Sequence, residues 1–265
     1  MSNINKHEDI IKNYYANSYI EDERFDRPSH KIEFLTTMRY IEKFATKGCK
    51  ILEIGAATGN YSIKLAKMGY DVTAIELVQE NLDILNKKAE GIKNITCLQG
   101  DALDLSRFED NSFDVVLNLG PMYHLFNQED KNKAIAETIR VCKPNGICMF
   151  AFLTHSSIVW NFGVRKNKMS ELAPYLNSKG VIKDTPEEVF ASYHIEDFAK
   201  QFENSNTTHI VNVATDGLFS IMRDYIDNVM SEEDYKQLIN WHFNTCERLD
   251  QQGNSSHMLY ICKKN

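Results

Sequence analysis

No stretch of this 265-residue chain approaches the roughly 20 consecutive apolar residues of a membrane span, and Met1-Ser2-Asn3-Ile4-Asn5-Lys6 has no apolar signal core. The expectation is a soluble, cytoplasmic protein. Basic blocks are equally absent: the net charge of −7 is spread along the chain, which argues against phosphate backbones or an anionic membrane as partners. The six cysteines form no CxxC pair, so neither a zinc site nor a disulfide frame is expected, and no metal. Cys49, Cys97, Cys148 and Cys262 lie in or beside strand-like runs, as buried thiols of a reducing compartment do. Linkers, repeats and low-complexity tracts are also missing. With 43% hydrophobic residues, the chain is read as one elaborated domain around one large core.

What is present between Cys49 and Leu153 is an alternation of short β-type runs and helical stretches. Ile51 to Ile54, Asp71 to Glu76, Ile95 to Gln99, Phe113 to Leu119 and Gly146 to Leu153 read as strands 1 to 5. Asn60 to Met68, Gln79 to Glu90 and Lys131 to Val141 read as helices. Nearly continuous apolar strands separated by helices imply parallel pairing, right-handed crossovers and helices on both faces of the sheet. Lys143-Pro144-Asn145-Gly146 is expected to be the turn before strand 5. Thr154 to Pro186 reads as a helical insertion above the carboxyl ends of the strands, the edge at which open sheets bind ligands. Glu187 to Phe202 reads as an amphipathic helix and His209 to Ala214 as strand 6. Two helices (Leu218 to Met230, Glu232 to Leu249) precede the final run from His257 to Cys262. At the other end, Glu8 to Ile20 reads as a helix with Tyr14 and Tyr15 on its apolar stripe.

The chemistry concentrates at Glu53-Ile54-Gly55-Ala56-Ala57-Thr58-Gly59, where an apolar strand passes into a helix through small residues that let backbone approach a ligand closely. Glu76 ends the next apolar run, about 20 positions on, where an acidic residue takes ribose hydroxyls in nucleotide-type sites. Dinucleotide sites favour GxGxxG; this turn is ExGxxxG. A carboxylate at the strand end faces a pyrophosphate badly and a cationic amino group well. S-adenosylmethionine carries an ammonium, a ribose and an adenine, and the chain supplies a candidate for each.

These residues resemble the class I S-adenosylmethionine-dependent methyltransferases, most closely the small-molecule type compared with ubiquinone and menaquinone biosynthesis methyltransferases. The resemblance covers roughly Lys31 to Leu153 by motif and the final strands by order. It implies a Rossmann-like, doubly wound seven-stranded α/β fold whose last strand is antiparallel, with an N-terminal lid helix and helical insertions. Residues 1–48 would then be lid helices, 49–153 the cofactor core, and 154–265 the acceptor-side insertions and last two strands. It also implies that Glu53, Gly55, Ala56 and Gly59 hold the methionine part of the cofactor, that Glu76 binds the ribose and Asp101 reaches the adenine, and that Ala57, Leu77 and Ala102 lie at the cofactor as well. Asn118 and Leu119 would lie beneath the methyl, and one of Tyr14 and Tyr15 would close over the cofactor. Ala57 stands where many members have glycine; the expectation is that it keeps φ negative and the site survives.

Plainer roles compete. Glu53 could cap the following turn, and Asp101 could cap the turn beginning near Ala102. Tyr123 and His124 are the candidate catalytic residues, His124 as a general base; the plainer reading has both packing at the start of a helix. A sulfonium is already activated, so a catalytic residue is not required. Arg165, Lys166 and Lys168 read as a solvated face before an anion clamp. Trp160, Phe162, Tyr175 and Tyr193 read equally as packing or an aromatic acceptor pocket. The expected reaction is methyl transfer from S-adenosylmethionine to O, N or S of a small molecule, giving S-adenosylhomocysteine, by a monomer or homodimer. Carbon acceptors, an RNA or protein acceptor, a nicotinamide oxidoreductase and a non-catalytic binding protein stay open. The signature Asp/Asn-Pro-Pro-Tyr is absent, since Asn118 is followed by Leu119-Gly120-Pro121-Met122-Tyr123.

Overall fold

The computed structural model describes residues 24–182 and 190–265. The expected helix from Glu8 to Ile20, with Tyr14 and Tyr15, lies outside the described residues, as does the start of the segment from Glu187. The first described helix, α1 (Pro28–Phe44), is followed by β1 (Lys50–Ile54), α2 (Asn60–Lys67), β2 (Asp71–Glu76), α3 (Gln79–Ala89), β3 (Ile95–Gln99) and β4 (Phe113–Asn118). A 3₁₀ turn at Pro121–His124 leads to α4 (Gln128–Val141) and β5 (Cys142–Leu153). Then come α5 (His155–Ile158), a π-helical turn (Val159–Val164), α6 (Met169–Leu172), α7 (Ile195–Lys200), β6 (Thr207–Ala214), α8 (Arg223–Asn228), α9 (Glu232–Thr245), α10 (Leu249–Gln252) and β7 (His257–Lys264).

The seven strands lie in the order β3-β2-β1-β4-β5-β7-β6. Pairing is parallel from β3 through to β5, and β7 runs antiparallel to both β5 and β6. The central strands are apolar on both faces because helices cover both: Ile51, Leu52, Val116 and Leu117 are wholly buried. Aromatic pairs fill the space between β5, β7 and α7, with Phe152 stacked on Phe198 at 4.0 Å and Phe202 on Tyr260 at 4.2 Å. Helix α1 begins on Pro28, whose fixed φ suits a first turn. It is tied down by Ser29, whose amide and hydroxyl both donate to Asp227 at 2.8 Å, and by Ile32 packing with Phe219 and Ile226.

Two expectations need correction. Residues 143–146 are not a turn ahead of strand 5. They form an irregularity inside β5, where pairing with β4 jumps from Cys142 to Ile147 and Asn145 takes a φ of 63°. Among the described residues of the helix expected over Glu187 to Phe202, the α-helical part is Ile195–Lys200. The Ala191 amide donates to the Tyr123 carbonyl and the Tyr193 amide to the Leu153 carbonyl, which commits that backbone to an extended course. The Tyr193 hydroxyl donates to the Met122 carbonyl, so this segment buttresses the 3₁₀ turn.

Candidate active site

A doubly wound sheet opens a crevice where neighbouring crossovers leave in opposite directions, here between β1 and β4. At that point lies a cleft enclosing about 1130 Å³ of non-atom space, open to solvent. Its walls come from the ends of β1, β2, β4 and β5, from α1 and α2, and from the start of β7.

Glu53, near the end of β1, is buried and lines the cleft. The Ser62 hydroxyl of α2 donates a very short hydrogen bond to its Oε2. Burial pushes the Glu53 carboxyl up to about 8; the Ser62 hydrogen bonds partly offset this and the nearby Glu76 charge adds to it. Its ionised form is therefore disfavoured until a cation arrives. Glu76, ending β2, accepts the Ala57 amide on Oε2 at 2.7 Å and the Val78 amide on Oε1 at 2.9 Å. The same carboxylate thus clamps the β1–α2 turn to the β2–α3 turn. Asp101 lines the far wall and caps its own turn, accepting the Leu103 amide at 2.9 Å, so cap and wall coexist.

The turn itself depends on two glycines. Gly55 has φ of +75°, and an added Cβ would come within 3.0 Å of Pro121 Cδ; Gly59 has φ of +86°, and an added Cβ would meet Leu85 Cδ1 at 2.2 Å. Ala57 departs from expectation with φ of +47°, not negative. An L-residue there costs roughly 1–2 kcal/mol, and the Ala57 amide bond to Glu76 offsets it. Ala57→Gly should therefore raise stability by about 0.5–1 kcal/mol after the unfolded-state entropy of glycine is subtracted. Urea unfolding checks this, and a loss of stability would show that the left-handed geometry carries no strain.

Of the other expected site residues, Ala56, Leu77, Ala102, Leu119, Tyr123 and His124 all line the cleft. The Tyr123 hydroxyl donates to the Leu119 carbonyl at 3.0 Å, and the His124 ring packs against Tyr123 and Phe190. Asn118 is not at the wall: it is buried, and its amide donates to Thr138 Oγ1 at 3.1 Å. The Trp160, Phe162, Tyr175 and Tyr193 set does not form a pocket, since Trp160 and Tyr175 are exposed and Tyr193 is in the core. Lys166 and Lys168 lie over Phe162, and Lys168 pairs with Glu171 at 2.9 Å, the solvated-face arrangement. Among the described residues no metal-binding cluster forms, and all six cysteines are free.

The remaining wall was not expected. Arg24, Phe25, Glu33, Thr37, Tyr61, Thr215, His257 and Leu259 also line the cleft. Arg24 Nη2 lies 2.7 Å from Glu33 Oε1 and 3.4 Å from His257 Nε2, and His257 Nδ1 lies 2.9 Å from Asp216 Oδ2. Phe25, Phe34 and Tyr61 stack alongside with ring centroids 5.0–5.7 Å apart. Glu33 carried a usable signal, a charged residue on the same buried helix face as Thr36 and Thr37. His257 carried little, being one polar residue before an apolar run.

Fold and cleft together define a Rossmann-like, doubly wound α/β architecture with an open crevice at its switch point. The methyltransferase-domain family matches residues 51–146. The putative methyltransferase YqeM of Bacillus subtilis is 33% identical over 120 residues, 45% of this chain and 47% of YqeM. Demethylmenaquinone methyltransferase of Staphylococcus aureus is 36% identical over 104 residues, 38% of this chain and 42% of that protein. The match thus spans less than half the length of either relative. A crystal structure of a SAM-dependent methyltransferase from Methanosarcina mazei superposes with a TM-score of 0.55 at 16% identity, covering 85% of this chain and 96% of that one, and shares the fold. Residues 51–146 thus match a methyltransferase domain, in line with the resemblance carried by the glycine turn.

Proposed function

We propose that the protein transfers a methyl group from S-adenosylmethionine to a nitrogen, oxygen or sulfur atom of a small molecule held in the cleft. The observation that carries this reading is the buried Glu53 carboxyl, raised to about 8 and facing the cleft beside a turn of small residues. Once ionised, such a group pairs with an ammonium, and an anionic pyrophosphate offers it no such partner. The donor set fits the cofactor along its length: Glu53 for the amino group, Glu76 for the ribose hydroxyls, and Asp101 with Leu77, Val78 and Ala102 around the adenine. When bound, the cofactor supplies an electrophilic methyl group on sulfur. The chain's part is to orient it and to keep the reacting end dry, with Leu119, Gly120, Pro121 and Tyr123 forming that stretch of wall. A small acceptor suits a cleft of this size and an acidic chain without basic blocks.

Thermal-shift measurements with S-adenosylhomocysteine and with NAD test the reading. The expected result is a shift of several degrees with S-adenosylhomocysteine and none with NAD; the reverse pattern would overturn it in favour of an oxidoreductase.

A further inference from the structure

We propose that Asp216 and His257 are the proton-accepting element of the acceptor site, and that the acceptor they serve is a small amine whose nitrogen takes the place of Arg24 Nη2 beside His257 and Glu33. The proposal rests on the methyltransferase reading and adds to it a base and a substrate class.

Topology places the pair. Because β7 runs antiparallel to β5, its first residue, His257, pairs with Leu153 at the carboxyl end of β5, the edge at which the cleft opens. A quarter of the His257 side chain is exposed, and it lines the cleft. Behind it, Asp216 is buried and heavily bonded. Its Oδ1 accepts the Ser255 hydroxyl at 2.7 Å, the Ser256 amide at 2.8 Å and the His257 amide at 3.0 Å, while Oδ2 faces His257 Nδ1. A carboxylate held this way stays ionised and fixes the Nδ1 proton of a neutral imidazole. The lone pair is then on Nε2.

Nε2 and Glu33 Oε1 converge on one point, marked in the structure by Arg24 Nη2 at 3.4 and 2.7 Å. Two acceptors thus meet at a cationic N–H, and an ammonium is the small-molecule counterpart of that donor. The charge at this end selects the same class. With neutral imidazole, two carboxylates, Glu33 and Asp216, outnumber the one guanidinium of Arg24. An anionic acceptor would meet Glu33, whereas the Phe25 ring already holds a cation, the Arg24 guanidinium 5.2 Å from its centroid.

An amine protonated at neutral pH has no lone pair to offer. In the proposed step its N–H bond breaks, the electron pair stays on the amine nitrogen, and the proton forms a bond to His257 Nε2. The imidazolium so formed lies between Asp216 and Glu33, whose Oε2 is 3.7 Å from Nδ1, and it returns the proton to solvent at the mouth of the cleft. The charged groups that face His257 are Glu33 from α1, Arg24 ahead of α1 and Asp216 after β6. Burial alone would lower its pKa; Glu33 and Asp216 more than offset this and raise it, and Arg24 acts against them. Arg24 keeps the imidazole from holding the proton too tightly.

The test uses the full chain loaded with S-adenosylhomocysteine and three probes of one size: phenethylamine, phenethyl alcohol and hydrocinnamate. Calorimetry should show the amine binding at least about 10-fold more tightly than either other probe, with that preference lost in Glu33→Gln and His257→Gln while S-adenosylhomocysteine binds as before. Nitrogen NMR of His257 should report the Nδ1–H tautomer and a pKa that falls when the amine binds. With S-adenosylmethionine, labelled methyl transfer to phenethylamine should drop about 10²- to 10⁴-fold in His257→Gln. In Arg24→Ala the acid limb of that rate should move to higher pH, because removing the cation stabilises the imidazolium. A purely structural pair would leave the probe preference and the pH profile in place. An amine that binds no better than the alcohol or the acid sinks the proposal even if both variants fail to fold. Failure of wild-type protein to bind S-adenosylhomocysteine takes down the methyltransferase reading as well.

Discussion

Glu53→Gln should leave the ligand-free protein more stable at pH 8 and nearly unable to bind S-adenosylhomocysteine. The folded carboxyl sits at about 8 against an ordinary value of 4.5. Between those values the folded state holds a proton that the unfolded chain releases, so the stability this group contributes is complete below about 4.5 and is lost as pH rises through about 8. Glutamine keeps the hydrogen bond with Ser62 and has no proton to lose. The variant should therefore gain roughly 2–4 kcal/mol over wild type at pH 8 and nothing at pH 4.5. Binding moves the other way: removing one partner of a desolvated ammonium–carboxylate pair costs roughly 2–5 kcal/mol, about 10²- to 10³-fold or more in affinity. Thermal unfolding with and without ligand at both pH values checks both halves. Equal wild-type and variant stability across the range would mean that the carboxyl is not held protonated.

The second large effect belongs to Asp216. Asp216→Ala removes the acceptor for two backbone amides, a serine hydroxyl and an imidazole, all behind the start of β7. Burial alone would raise the Asp216 carboxyl, but the His257 charge and the hydrogen bonds of His257 and Ser255 outweigh it and hold it below its usual value. Stability from this group is accordingly present above about 3.8 and lost as pH falls below that. The alanine variant should lose about 3–5 kcal/mol at neutral pH, since buried donors are left unpaired. Asp216→Asn retains shape and most acceptors and should lose about 1–3 kcal/mol. Urea midpoints measured at pH 7 and pH 3 separate the cases: the gap between wild type and Asn should shrink at pH 3. Equal losses for both variants at pH 7 would show that packing, not the hydrogen-bonded charge, closes this end of the sheet.

The glycine-turn side of the cleft was legible because its signals are local. Glu53, Gly55, Gly59 and Glu76 lie within one strand-turn-helix-strand unit, where apolar runs give the strands and small residues give the turn. The Ala57 backbone was not legible, since its left-handed geometry is set by the amide bond to Glu76, a contact 19 residues along the chain. The side of the cleft around Arg24 and His257, proposed for the acceptor, was hidden for a larger reason of the same kind. Arg24 and His257 meet across 233 residues only because an antiparallel β7 inserts between β5 and β6. For Trp160 and Tyr175 the sequence left packing and an aromatic pocket equally open, and the structure leaves both residues exposed. Among the described residues, the helix expected from Glu187 onward shortened to Ile195–Lys200 because the amides of Ala191 and Tyr193 bond to distant carbonyls, information that periodicity does not carry.

The account turns on Glu53 giving up its proton to pair with the cofactor's ammonium. Calorimetry of S-adenosylhomocysteine binding at pH 7, in two buffers of different ionisation enthalpy, reads that proton directly. A carboxyl at about 8 that becomes ionised in the complex should release roughly one proton per molecule bound, and Glu53→Gln should release none from this position. Tight binding with no proton released by wild-type protein, or the same release from the variant, would contradict it.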